Sequence, residues 1–194
     1  MQLIKIDEFL VNYRLKNTCI NHKNNNNKIF LDQRFHDKKL TINFLGENST
    51  LSIGKNCNIQ GVITISNNSH VFIGDNFSST GGVTILARDE CHVSIGNDCM
   101  FATSILIRTS DEHSIYDIAT DILINHNKDV SIGNHVWICD NVLVLKGSII
   151  EDGAVIGARS LVSGLIDKNS LAVGSPAKVV KRNIYWSRER ASKQ

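Results

Sequence analysis

The sequence predicts an all-β solenoid, in which short parallel strands stack coil upon coil. In the second half of the chain an aliphatic residue recurs every six positions, and a second small or aliphatic residue follows each of them by four positions. A fixed short period of this kind is typical of repeat folds. The first series is Ile132, Ile138, Val144, Ile150, Ile156 and Val162, and the second is Val136, Val142, Ser148, Ala154, Ser160 and Ile166.

The same period occurs earlier in the chain, where isoleucine is followed by glycine. These stretches are Ile53-Gly54 with Ile59 and Ile65, Ile73-Gly74 with Phe77, and Ile95-Gly96 with Phe101 and Ile107. Three hexads would close one triangular coil, so we expect Ile132 to stack on Ile150 and Ile138 on Ile156. A helical interpretation fails because the repeat is rich in β-branched residues and has no period of 3.6.

Composition is consistent with one domain of ordinary size. The chain has 194 residues, 42% of them hydrophobic and only 6% aromatic, so its core is built of small aliphatic side chains. A net charge of +2 and an isoelectric point near 8.3 do not favour nucleic acid as a partner. No signal peptide or transmembrane run is evident, and the five cysteines lack metal-binding spacing. We therefore expect a soluble cytoplasmic protein with reduced cysteines.

Three regions are expected along the chain. Residues 1–39 precede the repeat and contain the run Asn24–Asn27, which predicts a surface loop. Residues 40–180 form the solenoid, with imperfect register between Ile65 and Ile95 and with a protruding loop over residues 109–129. Residues 181–194 form a charged tail, which we expect to be a short C-terminal helix carrying Ile184, Tyr185 and Trp186.

The interruption at residues 109–129 is the strongest local signal of function. Continuing the period from Ile95 through Ile107 would place an aliphatic residue at position 113, where the sequence has His113. A loop of about twenty residues within a repeat fold is uncommon unless it is functional. An isolated histidine usually caps a coil or is solvated, but the broken register and the neighbouring carboxylates favour an active-site histidine.

Taken together, these motifs resemble the hexapeptide-repeat acyltransferases, whose fold is a left-handed parallel β-helix. The resemblance covers about residues 50–182 and is greatest for the sugar O-acetyltransferases, including galactoside and maltose acetyltransferases and the enzymes that acetylate capsular sugars or sialic acid. It is carried by the repeat itself and by three segments, which are residues 109–117, Asn134-His135-Val136-Trp137-Ile138 and Gly174-Ser175-Pro176-Ala177-Lys178-Val179. Parallel crossovers are ordinarily right-handed, so the left hand follows from the resemblance alone.

The resemblance implies that acetyl-CoA donates an acetyl group to a sugar hydroxyl, with His113 as the general base. An imidazole is suited to this role near neutral pH. Asp111 or Glu112 could orient its ring, and no covalent acyl-enzyme is required. The spacing from His113 to Trp137 is the one seen in these enzymes. The Trp137 indole could form a wall for the pantetheine arm or the sugar, the alternative being a core or interface aromatic. His135 is expected to be a corner or packing residue.

The coenzyme-binding residues are also implied by the resemblance. Asp140 and Ala158 match positions whose backbone amides meet the thioester and pantetheine, and Ser163 matches another coenzyme contact. Lys178 and Lys181 match basic residues at the nucleotide end, where cations suit phosphates. Two residues depart from the family's pattern. Asp140 places a carboxylate where relatives usually have a small residue, and Gly164 stands where they often have a lysine. Lys146, one coil earlier, could supply the missing charge.

The family forms homotrimers with active sites between subunits, and we expect the same here without a metal. The segment from Arg108 to Asp117 is most similar to enzymes that acetylate capsular or lipopolysaccharide sugars, including polysialic acid. It makes Arg108, Asp111 and Tyr116 candidates for acceptor binding, and Arg88 could help to bind an anionic polymer. A free sugar, an amino-sugar nucleotide or serine is an alternative acceptor. A non-enzymatic trimeric binding solenoid is another alternative, whereas a metal-dependent carbonic-anhydrase relative is disfavoured because no H-x4-H pair is present.

Overall fold

The structure, a computed structural model, describes residues 2–5, 17–22, 26–32 and 35–190. It contains strands and no helix within these residues. Twelve strands precede the protruding loop, and they are β1 (Gln2–Lys5), β2 (Thr18–Asn21), β3 (Lys28–Leu31), β4 (His36–Phe44), β5 (Thr50–Ile53), β6 (Asn58–Ile65), β7 (His70–Ile73), β8 (Ser78–Ser79), β9 (Val83–Ala87), β10 (His92–Ile95), β11 (Met100–Phe101) and β12 (Ile105–Arg108). Nine follow it, and they are β13 (Val130–Ile132), β14 (Trp137–Ile138), β15 (Leu143–Val144), β16 (Ile149–Ile150), β17 (Val155–Ile156), β18 (Leu161–Val162), β19 (Leu165–Ile166), β20 (Ser170–Gly174) and β21 (Ala177–Arg182).

The strands form the three faces of a solenoid. The first face is an eight-stranded sheet in the order β1-β3-β5-β7-β10-β13-β16-β19. The other two belong to one continuous sheet, which divides at β6 because that long strand pairs with β8 through its first residue and with β9 through its second half. The second face therefore continues through β8, β11, β14, β17 and β20, and the third through β9, β12, β15 and β18.

Stacked aliphatic side chains form the core between these faces. Ile132 pairs with Ile150 and Ile138 with Ile156, which confirms the stacking predicted from the hexads. On the first face, one column of ladder residues has at most 5% of its surface exposed. This column is Leu31, Ile53, Ile73, Ile95, Ile132, Ile150 and Ile166.

The coils do not all consist of the predicted three hexads. Coils before the loop are longer, since Ile53 pairs with Ile73 and Ile73 with Ile95. Ile63 rather than Ile65 stands in the column of Ile107, because β6 is longer than a single hexad strand. The last coil is shorter. The hexads predict Ile166 as the second inward residue after Val162, but in the structure it is the strand residue that pairs with Ile150.

Both ends of the chain differ from the expectation. The solenoid begins before residue 40, since β2 pairs with β4 and β3 pairs with β5. Asn27 is buried as a corner residue whose side chain bonds Gly46 and Ser49, rather than being part of a surface loop. Asn24 and Asn25 lie outside the described residues, as do residues 191–194. The expected C-terminal helix is absent from residues 181–190, which continue from β21 into extended chain.

Hydrogen bonds between neighbouring coils explain the recurring isoleucine–glycine pairs. At the corner between the first and second faces, an Asp or Asn side chain of one coil accepts a hydrogen bond from a backbone N–H of the preceding coil. The pairs are Lys55 to Asp75 (2.9 Å), Asp75 to Asn97 (2.8 Å), Asn97 to Asn134 (2.9 Å) and Asn134 to Asp152 (2.6 Å). The glycine one residue earlier leaves the necessary room, because a Cβ at Gly133 would lie 2.2 Å from the Asp152 carboxylate.

The residue after each of these corner positions has a positive φ. This corner column consists of Asn56, Asn76, Asp98, His135, Gly153 and Asn169, with φ between 50° and 70°. Asparagine, aspartate and glycine tolerate this left-handed conformation best. His135 is therefore a corner residue by backbone conformation, in agreement with the interpretation of the sequence.

No helix in the described chain has the length and apolar character needed to cross a bilayer. All five cysteines are free thiols. Burial raises the pKa of Cys57 to about 11 and that of Cys99 to about 12, so both are neutral core side chains.

Substituting Gly96 with alanine should destabilise the solenoid. An added Cβ would lie 2.6 Å from the carbonyl of Gly133 in the next coil, and backbone atoms cannot move without separating the coils. We expect the free energy of unfolding to fall by about 1–3 kcal/mol, as for other overpacked sites. Gly82→Ala is the matched control, because nothing lies within 4 Å of its Cβ position. Equal stability of the two variants in urea unfolding would contradict the account of the corner.

Candidate active site

The loop between β12 and β13 is a hairpin stabilised by its own hydrogen bonds. Tyr116 and Leu123 form an antiparallel bridge, and the Ile124 N–H donates to the Ile115 carbonyl over 2.9 Å. Asn125 links the hairpin to the loop's origin. Its amide donates to Asp111 Oδ2 at 3.0 Å and to the His113 carbonyl at 2.8 Å, and its Oδ1 accepts from the Ile115 N–H at 2.7 Å.

Lys146 attaches this loop to the solenoid. Its ammonium donates to Asp111 Oδ2 at 2.5 Å and to the Asn125 carbonyl at 2.6 Å. The Lys146 side chain is only 16% exposed, so the ion pair is partly shielded from solvent. These bonds hold the pKa of Asp111 below its usual value, with the Lys146 hydrogen bond as the largest cause and that of Asn125 as the next. Lys146 therefore contacts the loop, which is a different partner from the coenzyme suggested by the sequence.

His113 lines a cleft of about 500 Å³ between the loop and the coil edge. The histidine is exposed, and no described residue hydrogen-bonds its ring. The cleft is lined by Asp89, Glu90, Cys91, Ser110, Glu112, His113, Ser114, Leu123, Asn125, His126 and Asn127.

The two carboxylates proposed to orient His113 have other partners. Asp111 binds Lys146, and Glu112 Oε1 accepts from Arg88 Nε at 3.0 Å and lies 3.9 Å from an Arg108 nitrogen. Within the described chain the backbone of His113 is fixed by Asn125, whereas its ring is left free to meet another molecule.

The candidate acceptor-binding residues surround the same loop. Arg108 Nε donates to the Ser110 carbonyl at 2.6 Å, at the point where the chain leaves the coil. Tyr116 is 54% exposed in the hairpin and does not line the cleft. Arg108 and Asp111 do not line the cleft either, but Asp111 shares Asn125 with the His113 backbone and Arg108 lies 3.9 Å from Glu112 of the lining.

Cys91 also lines the cleft beside His113. Its pKa is raised, first by burial and then by the charge of Asp129. A neutral thiol is a poor nucleophile. This environment does not support a covalent acyl-enzyme at Cys91.

Trp137 lies on a different side of the solenoid from His113. It begins β14 on the second face, where its register partners are Met100 and Val155. The His113 loop instead connects the third face to the first. Within one chain, the two principal candidates therefore do not share a cleft.

The coenzyme candidates form two groups. Asp140 follows β14 and Ala158 follows β17, the strand paired with it, so both stand at the corner between the second and third faces. The Asp140 carboxylate accepts a hydrogen bond from the Thr103 N–H at 3.1 Å, and this role in corner geometry explains the departure at that position. Ser163 and Lys178 line a second cleft, of about 530 Å³, together with Pro176 and Arg182. Lys181 is exposed on β21 outside that lining.

Sequence reasoning overlooked the contacts that Asn125, Trp186 and Arg188 make. Trp186 is 7% exposed and packs over His135, while Arg188 bonds Asp98 on the preceding coil. These partners lie 51 and 90 residues away in the sequence, so no local pattern links them. Within the described residues, no group of three or more His, Cys, Asp or Glu side chains is placed to hold a metal ion.

Comparison with known proteins identifies the family. The family model described as bacterial transferase hexapeptide (six repeats) matches residues 129–164. A polysialic acid O-acetyltransferase of Neisseria meningitidis is 35% identical over 187 residues, covering 84% of this chain and 87% of that protein. The chain belongs to the hexapeptide-repeat acetyltransferases. Its solenoid is accordingly the left-handed parallel β-helix of that family, as the family resemblance implies.

Two further relatives extend this comparison. A polysialic acid O-acetyltransferase of Escherichia coli O1:K1 / APEC is 38% identical over 136 residues, which are 70% of this chain but only 44% of that protein. The crystal structure of the polySia-specific acetyltransferase NeuO superposes with a TM-score of 0.84 at 36% identity, covering 91% of this chain and 75% of that one. The family resemblance thus extends beyond the hexads into most of the described fold.

Replacing Lys146 with alanine should release the loop. The variant loses the bonds to Asp111 and Asn125, so residues 109–129 should be cleaved faster in limited proteolysis. Global stability should fall by only about 0–1 kcal/mol, as for other partly exposed ion pairs. Lys168→Ala, an exposed lysine away from the loop, is the control. Weaker binding of coenzyme A with unchanged loop cleavage would instead favour the coenzyme role suggested by the sequence.

The same tether should depend on pH in a defined direction. Because the pKa of Asp111 is lower in the folded protein than the unfolded value of about 3.9, its stabilising contribution is fully present above that value. It is lost as the pH falls through the folded pKa. Protection of the loop in the wild type should therefore be constant from about pH 5 upward and should decline in acid.

Proposed function

We propose that this protein is an acetyl-CoA-dependent O-acetyltransferase acting on a hydroxyl of a bacterial surface sugar, in a capsule or a lipopolysaccharide. Family membership supports the acetyl transfer. The observation that supports the site is the exposed imidazole of His113, which lines a cleft where the solenoid is interrupted. Two relatives named as polysialic acid O-acetyltransferases support a sugar acceptor, with sialic acid or polysialic acid as candidates.

The proposed chemistry is direct transfer with His113 as the general base. The imidazole accepts the proton of the sugar hydroxyl as its oxygen attacks the thioester carbonyl. A new C–O bond forms, the C–S bond breaks, and coenzyme A leaves as a thiolate that takes up a proton. General base catalysis of this kind contributes about 10²–10⁴ in rate. The raised pKa of the Cys91 thiol, which lines the same cleft, argues against a thioester intermediate at that residue.

We assign the acyl donor to the side of the solenoid that carries Trp137. Its indole can supply a flat apolar wall for pantetheine. Backbone amides near Asp140 and Ala158 are the candidates for contacts to the pantetheine and thioester. Ser163 is a further candidate, but it lies between β18 of the third face and β19 of the first, at the corner that also carries the His113 loop. Lys178 lines the second cleft, where the phosphates of coenzyme A could bind, and Lys181 lies on the same strand outside the lining. Arg182 also lines the cleft but is paired with Asp167. Acetyl-CoA and free thiols are both features of the cytoplasm, so we place the reaction there.

We infer that the active site is completed in a homotrimer. His113 and Trp137 lie on different sides of one chain, so a neighbouring copy has to bring one of them to the other. The hairpin carries exposed apolar side chains that such a copy would cover, and these are Ile115, Ile118, Ile122 and Ile124, which are 52–102% exposed. A threefold ring of parallel solenoids repeats the same heterologous contact three times and closes.

The charge of the His113 cleft supports a second acceptor class. Its lining includes Asp89, Glu90 and Glu112, while the nearby Arg88 and Arg108 are both directed at Glu112. An excess of carboxylates suits a neutral sugar or an amino sugar better than a polyanion. A small acceptor, such as a free sugar or an amino-sugar nucleotide, is therefore the alternative to polysialic acid.

His113→Ala should abolish acceptor-dependent release of coenzyme A. We expect a fall in kcat of about 10²–10⁴, because the attacking hydroxyl loses its base. Purified protein would be mixed with acetyl-CoA and either capsular polysaccharides, including polysialic acid, or monosaccharides, amino-sugar nucleotides and serine. His36→Ala, an exposed histidine on β4, is the control. Full activity of His113→Ala would exclude the proposed base, and no release or coenzyme binding by the wild type would favour a non-enzymatic trimeric binding solenoid.

A further inference from the structure

The last described residues form an extended segment along one corner of the solenoid. This C-terminal strap, residues 183–190, crosses the coils in reverse order. The Ile184 N–H donates to the Asn169 carbonyl at 2.9 Å, Trp186 packs on His135, and Arg188 reaches the Asn76 carbonyl at 3.2 Å. All three partners belong to the corner column with positive φ. The strap therefore runs along the solenoid axis across successive coils.

Trp186 and His135 clamp each other by two hydrogen bonds and a ring stack. The Trp186 indole Nε1–H donates to the His135 carbonyl at 2.7 Å, and His135 Nε2 lies 3.1 Å from the Trp186 carbonyl. The rings are nearly parallel at 8°, with centroids 4.1 Å apart. His135 Nδ1 is 2.6 Å from Asp98 Oδ2, which fixes the imidazole from its other side. The indole of Trp186 is thus buried with its N–H satisfied, and its orientation is well defined.

Arg188 fastens the end of the strap. Its guanidinium donates to Asp98 Oδ1 at 2.9 Å, to Ser78 Oγ at 2.7 Å and to three backbone carbonyls at 3.1–3.2 Å. The carbonyls belong to Asn76, Asp98 and Cys99. These partners come from two neighbouring coils, so the planar guanidinium, with its several N–H donors, links both coils to the strap.

The strap contacts the candidate wall of the donor site. The Trp137 and Trp186 rings are 6.0 Å apart between centroids and are inclined at 48°, within the range of favourable aromatic pairs. Trp137 is the less buried of the two, so its indole rests against a partner that is itself clamped. We propose that the strap is a positioning element of the acyl-donor site, with Trp186 fixing the orientation of the Trp137 indole. This inference rests on the proposed function, since it takes Trp137 to meet the coenzyme.

The test uses the fact that the chain has only two tryptophans, Trp137 and Trp186. Trp186→Ala and Trp186→Phe both leave Trp137 as the sole indole, but only phenylalanine keeps a ring against it. In Trp186→Ala we expect Trp137 to show red-shifted emission and lower fluorescence anisotropy than in Trp186→Phe. The KM for acetyl-CoA should rise by up to about tenfold in Trp186→Ala, with a smaller change in kcat, because one aromatic contact is lost. Trp186→Phe should retain a KM near that of the wild type.

Tyr185→Ala is the control on the same segment, because this tyrosine is 90% exposed. The KM of this variant for acetyl-CoA should equal that of the wild type. Arg188→Gln removes the anchor of the strap and keeps both tryptophans, so it replaces Trp186→Ala if that variant does not fold. It should also raise the KM for acetyl-CoA. Identical Trp137 fluorescence in the two Trp186 variants, or an unchanged KM in folded Trp186→Ala or Arg188→Gln, would overturn the inference and leave the proposed function standing. A wild type that neither binds nor consumes acetyl-CoA would overturn both.

Discussion

Every coil of this protein has to bury its aliphatic side chains against those of the next coil. No single coil could exclude water from its own interior, so the stacking of Ile132 on Ile150, repeated along each face, is what makes the solenoid stable. The constraint fixes the inward-facing strand residues, so insertions and close backbone contacts are accommodated at the corners between strands. The protruding loop, the close-packed glycines and the strap all lie at corners for this reason.

Corner chemistry in turn fixes where functional side chains can stand. At one corner, Asp and Asn side chains bond the backbone of the preceding coil and glycine makes room for them, as at Gly133 and Asp152. At another corner, Lys146 of the coil after the loop holds Asp111 and the loop that presents His113. The loop lies at the corner between the third and first faces, whereas Trp137 lies on β14 of the second face. This separation of His113 from Trp137 is the physical reason why we propose a site shared between copies of the chain.

Much of the fold was predictable because the hexad period records the core directly. The register of Ile138 on Ile156 follows from spacing alone. The start of the solenoid before residue 40 was not predicted, and the register between Ile65 and Ile95 was irregular, because coils longer than three hexads obscure the period. Trp186 lies in a segment that looked helical, but its partner His135 is 51 residues distant, and that tertiary contact keeps the segment extended. For the candidate site, the break in the six-residue period indicated His113 in the sequence. The contacts of Asn125 and Lys146 could not be predicted in this way, because they depend on which corner residues become neighbours in the fold.

Mixing a variant without the proposed base and a variant without the proposed donor wall, each expected to be impaired, tests most directly whether the site is assembled from neighbouring chains. His113→Ala and Trp137→Ala would be dissociated, combined in equal amounts and reassociated, with the mixed oligomers confirmed by native mass spectrometry. If each site takes His113 from one subunit and Trp137 from another, about a quarter of the sites in random trimers carry both intact residues, so acetyl transfer should reappear. Mixed trimers that remain as impaired as either parent would contradict the account of a site shared between subunits.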